Sequence, residues 1–426
     1  MTKNRYLIAN SILAILGLIL SFELVRDSLR NGDFAGYVSA GNLVLEHKNI
    51  YSSVLNTWPP LFSVFSVILA VGDKVSGVFI RFLWLAGSIL SMYFVIKLPT
   101  KMILGKTTRW GNKNGDIMFQ DGLILIPLLI MLRFLLENLA NVQVNTYMLL
   151  LACLSVFYFA NNKNVLLGLV LALSISLKVY TIFILFYCIY KRELKPALWT
   201  AAFILLFNSI TFLVFGFETA TAYYRHWYIE IASIPPTAHH KNQSIFGFML
   251  RLLTSQDPGE VLFVNVLSLN PLTVKYITYG LILLASSFPA YLFRKKLAEK
   301  SSQKAVLEYS LVFSAIPILS PLAWKAYFIF LWFPYLLVYV YLYRADNRLR
   351  KTEETFLRFL FLCSIALTVF SAQGIVGWHL SRTLETVSCI TMGTLVLMLI
   401  QLSIYRKMHL FNLHAIQYQT ARVSGE

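Results

Sequence analysis

The chain has 426 residues, of which 58% are hydrophobic and only 13% charged, with a mean hydropathy of +0.66. Soluble domains carry about 25% charged residues, so this composition excludes a water-soluble enzyme, a disordered protein and a disulfide-stapled secreted domain. A net charge of +17 would suggest nucleic acid in a soluble chain, but here the excess fits cytoplasmic loops that orient membrane helices. The expectation is an all-α, polytopic helical membrane protein with no nucleic-acid partner. Long apolar runs do not fit the alternating pattern of a β-barrel.

In chain order, the first apolar run covers about Tyr6 to Leu24 behind Lys3 and Arg5, with no small-residue cleavage site after it. It reads as an uncleaved anchor. Further runs lie near 76–98, 121–137, 145–160, 165–177, 179–190, 196–217, 272–293, 305–320, 325–344, 357–374 and 383–405. About 20 apolar residues span a hydrocarbon core, so about 11–13 transmembrane or half-membrane helices are expected. Three long interruptions remain, 26–75, 99–120 and 218–270. The four cysteines, Cys153, Cys188, Cys363 and Cys389, fall in apolar stretches without CxxC spacing and read as small hydrophobes.

The stretch 165–190 carries Lys178 in its middle and could form one helix or a hairpin of two short arms. Positive charge decides between them. With a hairpin, 24 of the 37 Lys and Arg residues fall on the N-terminal side of the membrane. A single helix would scatter them and break the positive-inside bias. The hairpin predicts cytoplasmic termini and outer loops at 26–75 and 218–270. No repeat and no separate soluble domain is evident, so residues 1–426 read as one membrane domain, with 345–426 supplying further helices and a cytoplasmic tail.

Polar chemistry gathers in the outer loops, whose mixed aromatic and polar residues suit segments lying at the lipid interface. Asp33 follows the first span and reads either as a general base for an acceptor hydroxyl or as a helix N-cap before Phe34-Ala35-Gly36-Tyr37. Glu46, Asp73, Glu218, Glu230, Asp257 and Glu260 are rival carboxylates. Lys178, Arg251 and Lys325 are cations near apolar segments of the same face. Together they could neutralise a phosphate, or each could snorkel to headgroups. Asn242-Gln243-Ser244 opens a helix as a cap or as an anion site. His379 could pair with a phosphate or be a solvated loop residue, while adjacent His239 and His240 make a weak metal pair. No P-loop, GxGxxG, GxSxG or HExxH pattern occurs.

The order of the motifs is more specific than any one of them. Asp33-Phe34-x-x-Tyr37, then Ala40, Asn49-Ile50-Tyr51 and Trp58-Pro59-Pro60-Leu61, resembles the first outer loop of glycosyltransferase family 87, whose members are GT-C type membrane enzymes. Val142-Gln143-Val144-Asn145, Gly168, Lys178-Val179-Tyr180, Asn242-Gln243-Ser244 with Arg251, and Ser320-Pro321-x-x-Trp324 follow in that family's order. The resemblance covers roughly residues 1–345. The chain departs from the family where Lys325-Ala326-Tyr327 replaces an acidic or histidine-rich run, and where Trp58 stands in place of a common Tyr.

The resemblance implies an inverting transferase that moves a sugar, mannose first, from a polyprenyl-phosphate donor to a lipid-linked or glycan acceptor. It implies a bacterial inner membrane with the site facing the periplasm. The family's base maps onto Asp33, and the residue-level reading adds Lys178, Arg251, Lys325 and His379 as the donor-phosphate ligands. Tyr37, Trp58, Gln143, Asn145, Tyr180, Asn242, Gln243, Ser244 and Trp324 become substrate contacts. An activated lipid-phosphate sugar needs one base and cations for the leaving phosphate, so no cofactor is required and a divalent metal is admitted but not demanded. A polymerase or ligase of lipid-linked glycans shares this topology and is the alternative. A transporter or flippase would predict inverted repeats and a polar midplane, of which the chain supplies only Lys178.

Overall fold

The computed structural model describes residues 3–53, 55–109, 117–232 and 236–412. Pro235, the middle of the 99–120 interruption and the tail from 413 lie outside them. The helices are α1 (Lys3–Ser28), α2 (Phe34–Leu45), α3 (Pro60–Leu104), α4 (Gly122–Ala140), α5 (Asn145–Ala160), α6 (Asn164–Leu177), α7 (Ile182–Tyr190), α8 (Leu194–Phe215) and α9 (Phe217–His226). They continue as α10 (Ile245–Leu253), α11 (Pro271–Phe293), α12 (Gln303–Leu319), α13 (Trp332–Tyr343), α14 (Lys351–Thr368), α15 (Gln373–Val376), α16 (Trp378–Thr386) and α17 (Cys389–Arg406). Strands among the described residues are two-residue pieces, Thr108–Arg109 beside Ile117–Met118 and Asp346–Asn347 beside Phe411–Asn412. Among the described residues, seven helices are long and apolar enough to cross a membrane. The protein is a polytopic all-α membrane protein.

Two compact units divide the chain: residues 15–95 with 135–234, and residues 1–14 with 96–134 and 235–426. In the first, α2 is pinned by buried aromatic rings. Tyr37 lies 4.8 Å from Trp58, 5.1 Å from Phe62 and 5.6 Å from Trp84, centroid to centroid. The Trp58-Pro59-Pro60 motif ends a tight loop, in which the Tyr51 hydroxyl donates to the Trp58 carbonyl at 2.9 Å. Pro60 then opens α3, where a first-turn proline has no N–H to leave unsatisfied. The helix therefore begins well before residue 76. The expected outer loop 26–75 is shorter than its charged Asp73-Lys74 interruption suggested, and that interruption is instead answered by a kink at Ser76 (φ −163°, ψ 104°).

Helices α6 and α8 run parallel: Gly168 faces Trp199, and Asn208 Nδ2 donates to Ser176 Oγ at 3.2 Å. Two consecutive parallel helices require the chain to come back between them, and α7 does so. The reversal sits at Lys178, whose extended backbone (φ −156°, ψ 112°) ends α6. At Gly168 a Cβ would lie 2.5 Å from Trp199 Cβ and 2.8 Å from its carbonyl carbon, so this crossing admits only glycine.

The second unit is built around the span Lys325–Tyr343, in which every residue from Ala326 to Leu342 is buried. Apolar on all sides, it is the core of that unit. Tyr335 donates or accepts at Ser364 (2.8 Å) and Thr368 (2.6 Å) on α14, and Ser364 Oγ donates to the Gly393 carbonyl of α17 at 2.8 Å. Small and hydroxylated residues thus join helices that lipid alone would not drive together. The span expected over 383–405 begins later, at Cys389, because Ser388 takes a left-handed conformation (φ 64°) and separates it from α16.

Candidate active site

In the unit containing residues 15–95 and 135–234, the turn that follows α1 presents Asp33. Gly32 has φ +49°, and a Cβ there would lie 2.5 Å from the Asn141 carbonyl oxygen. That close approach lets the Asp33 amide donate to the same oxygen at 2.9 Å. Asp33 precedes α2 at the N-cap position, yet its backbone is helical and its side chain makes no capping bond. Its carboxylate is free of the ordinary role for an Asp at that position.

What the carboxylate does instead is accept from Gln143 Nε2 at 2.6 Å. Gln143 Oε1 accepts from Asn145 Nδ2 at 2.8 Å, and Asn145 Oδ1 accepts from Lys178 Nζ at 2.9 Å. Asn145 Nδ2 also donates to Asn138 Oδ1 at 3.0 Å. A carboxylate accepts only and an ammonium donates only, so both amides must orient the same way along the chain. Negative charge at Asp33 and positive charge at Lys178 thus polarise two buried amides between them. The Asp33 side chain is accessible to solvent but set in a recess dense with protein. That desolvation raises its pKa above the ordinary carboxylate value, and Lys178 pulls it back down.

Lys178 is buried and stands over the Tyr180 ring, 4.9 Å from its centroid. Beside the chain lies an apolar groove of about 370 Å³, lined by Phe62, Trp84, Val144, Tyr147, Leu151 and Leu177 among others. Val144 lies between Gln143 and Asn145, and Leu177 precedes Lys178. Tyr37 and Trp58, expected at substrate, are instead buried in the aromatic cluster that holds α2.

In the other unit two motifs far apart in sequence meet. The Asn242 side chain donates to the carbonyls of Thr237 (3.0 Å) and Pro321 (3.2 Å) and accepts from the Ala323 amide at 3.0 Å. Ser244 caps α10 by accepting from the Gly247 amide at 3.1 Å, which is the plain cap. Gln243 Nε2 donates to the carbonyls of His240 (2.6 Å) and Glu385 (2.7 Å). Asn242-Gln243-Ser244 therefore clamps the Ser320-Pro321 segment and the end of α16. Arg251, expected at a phosphate, is buried, with its guanidinium on the carbonyls of Ala238, His239, Asn242 and Thr386 at 2.9–3.1 Å and on the Ser388 hydroxyl. It braces these loops from inside.

Lys325 does not meet Arg251's partners. Its Nζ lies 2.9 Å from the Glu385 carboxylate, which also takes His240 Nδ1 at 2.9 Å and faces Arg133 at 4.0 Å. His240 Nε2 lies 3.5 Å from Glu260, which pairs with Arg382 at 2.6 Å. Burial acts to raise the Glu385 pKa, but His240 and Lys325 outweigh it and hold the group below its ordinary value. Trp324 is half-buried with its ring 6.1 Å from that of His239, edge to face. His379 is exposed against Trp378 and joins none of these pairs. Among the described residues no group of three or more His, Cys, Asp or Glu is placed to hold a metal ion.

Sequence reasoning missed Glu385 and Arg133. Arg133 had a signal, a lone cation inside the apolar run of α4, where a charge is costly and placed for a reason. Glu385 carried the same signal, a lone carboxylate inside the run 383–405 read as one span.

The family model of glycosyltransferase family 87 matches residues 56–321. That is more than half of the chain, and the protein belongs to this family. The matched segment contains Gln143, Asn145, Lys178 and the Asn242-Gln243-Ser244 clamp, and it begins after Asp33. No curated protein matches the chain.

Proposed function

We propose that this membrane glycosyltransferase transfers a sugar, mannose by resemblance, from a polyprenyl-phosphate donor to a hydroxyl of a lipid-linked or glycan acceptor. Transfer takes place on the outer face of a bacterial inner membrane. Asp33 is the general base, and the observation carrying this reading is its hydrogen-bonded chain through Gln143 and Asn145 to Lys178. An Asp that neither caps its helix nor forms a direct ion pair, yet is held by an amide aimed at one oxygen, has its other oxygen available for a proton.

In the reaction, that oxygen takes the proton of the acceptor hydroxyl as the hydroxyl oxygen attacks the anomeric carbon. The bond to the phosphate breaks on the opposite face, so configuration inverts, and the polyprenyl phosphate leaves with the electron pair. Lys178 supplies positive charge on the Asp33 side, where the apolar groove suits a polyisoprenoid chain. Gln143 and Asn145 act as positioning residues, and Tyr180 shields the ammonium. Arg251, Asn242, Gln243 and Ser244 hold loops in place, and Lys325 supplies charge only together with Glu385.

The test is incubation of the purified protein with labelled polyprenyl-phosphate mannose and a membrane lipid extract. Label should appear in a new glycolipid with inverted anomeric configuration. Transfer from a nucleotide sugar, with none from the polyprenyl phosphate, would overturn the donor assignment.

A further inference from the structure

The face of α2 turned away from its aromatic packing borders a second recess, of about 390 Å³, lined in part by Asn31, Ser39, Asn42, Glu46, Asp73 and Arg81. The kink at Ser76 lies between Asp73 and Arg81, whose side chains meet at 3.4 Å. Arg81 is spent within the protein, since its Nε also donates to the Ser28 carbonyl at 2.8 Å. Glu46 is taken by Lys48 at 2.8 Å. The recess therefore holds two carboxylates, neutral amides and a hydroxyl, and its one lining cation is already engaged.

This chemistry disfavours an anion. Carboxylates repel phosphate, and the guanidinium that would compensate is occupied. It favours a ligand rich in hydroxyl groups, because carboxylate and amide oxygens accept from O–H donors. The Oδ1 of Asn42 is sheltered from solvent without a hydrogen-bond partner. A buried oxygen in that state costs free energy, and a ligand hydroxyl could satisfy it after a rotation of the amide. The volume suits one or two sugar rings and lies within the usual range for small-ligand sites, about 300–1,000 Å³. Asn31 and Phe34, both lining the recess, flank Asp33 in sequence.

We infer that this recess is the acceptor subsite and binds an uncharged glycan headgroup, placing one hydroxyl at Asp33. The inference rests on the proposed role of Asp33 as base.

The experiment uses the full chain in nanodiscs with methyl and octyl α-D-mannopyranoside as probes. Binding is read by saturation-transfer NMR, and transfer is read from labelled polyprenyl-phosphate mannose to the octyl glycoside. Ser39→Trp fills the recess from its partly exposed side. Asn42→Ala removes the sheltered amide and serves if the first variant folds poorly. Both should raise the acceptor KM on the order of tenfold, the scale of one or two lost hydrogen bonds, and weaken the NMR signal, while hydrolysis of donor without acceptor stays within about twofold. Unchanged acceptor KM and binding in both variants would overturn the inference. So would tighter binding of inositol phosphate than of the neutral glycosides. A wild-type protein that binds the glycosides in the recess yet never cleaves donor would sink the donor assignment and leave the subsite standing.

Discussion

Asp33→Asn separates catalysis from folding unusually well at this position. The carboxylate makes no capping bond, so no cap is lost, and the backbone bond from the Asp33 amide to Asn141 is untouched. The one side-chain bond, from Gln143 Nε2 at 2.6 Å, keeps an acceptor in the Asn amide oxygen. It changes from charge-assisted to neutral, a loss of about 1 kcal/mol. Relief from holding a charge in a crowded recess offsets part of that. Against a usual folding stability of about 5–15 kcal/mol, the variant remains folded. The basicity is gone, and transfer should fall by about 10²–10⁴, the scale of general-base catalysis, or about 3–5 kcal/mol in the barrier.

The assay compares initial rates of sugar transfer with thermal unfolding and donor binding of the same preparation. Donor binding should be retained. Gln143→Leu is the companion variant: it keeps the carboxylate but strips its positioning donor, and should cost closer to tenfold in kcat, the order of one hydrogen bond to a charged group. A folded Asp33→Asn protein retaining more than a tenth of wild-type turnover would refute the assignment of the base.

Three further outcomes follow from the same geometry. Because Lys178 lowers the Asp33 pKa, Lys178→Met should raise it, and the acid limb of the pH–rate profile should move to higher pH; an unmoved limb would show that the two groups are not coupled through the amides. Glu385 has a depressed folded pKa, so its contribution to stability is present above its unfolded pKa and is lost as pH falls through the folded value; Glu385→Gln should lower thermal stability at neutral pH and flatten its loss on acidification, which a pH series of melting temperatures would read. Gly168→Leu forces atoms into a gap where even a Cβ lies 2.5 Å from Trp199, and should cost about 1–3 kcal/mol or more by overpacking, seen as a lower melting temperature in detergent.

Much of this fold could be read from the chain because the bilayer imposes it. Hydrophobic run length located the spans, and charge asymmetry favoured a reversal at Lys178, which the parallel course of α6 and α8 requires. The errors came where helix continues through polar residues or breaks within apolar ones. Asp73-Lys74 looked like loop because charges interrupt the run, but a kinked helix tolerates them when Asp73 has Arg81 to pair with. Ser388 lay inside an apolar run, and nothing in its identity announced a left-handed residue.

The site divides along a physical line as well. Motif order brought forward Asp33, Gln143, Asn145 and Lys178, and these four form one hydrogen-bonded chain. The same order brought forward Arg251 and Asn242-Gln243-Ser244, which serve backbone carbonyls and loop ends. A motif marks a residue that cannot easily be replaced, and a buried guanidinium serving five acceptors satisfies that condition as fully as a catalytic group does. Partners distinguish the two cases. Arg251 ends on groups of its own unit at every nitrogen. The Asp33 chain is closed at one end by Lys178 and ends at the other on an exposed residue, Asp33. Function is to be sought where a buried polar network comes to the surface unfinished, and in this unit that place is Asp33.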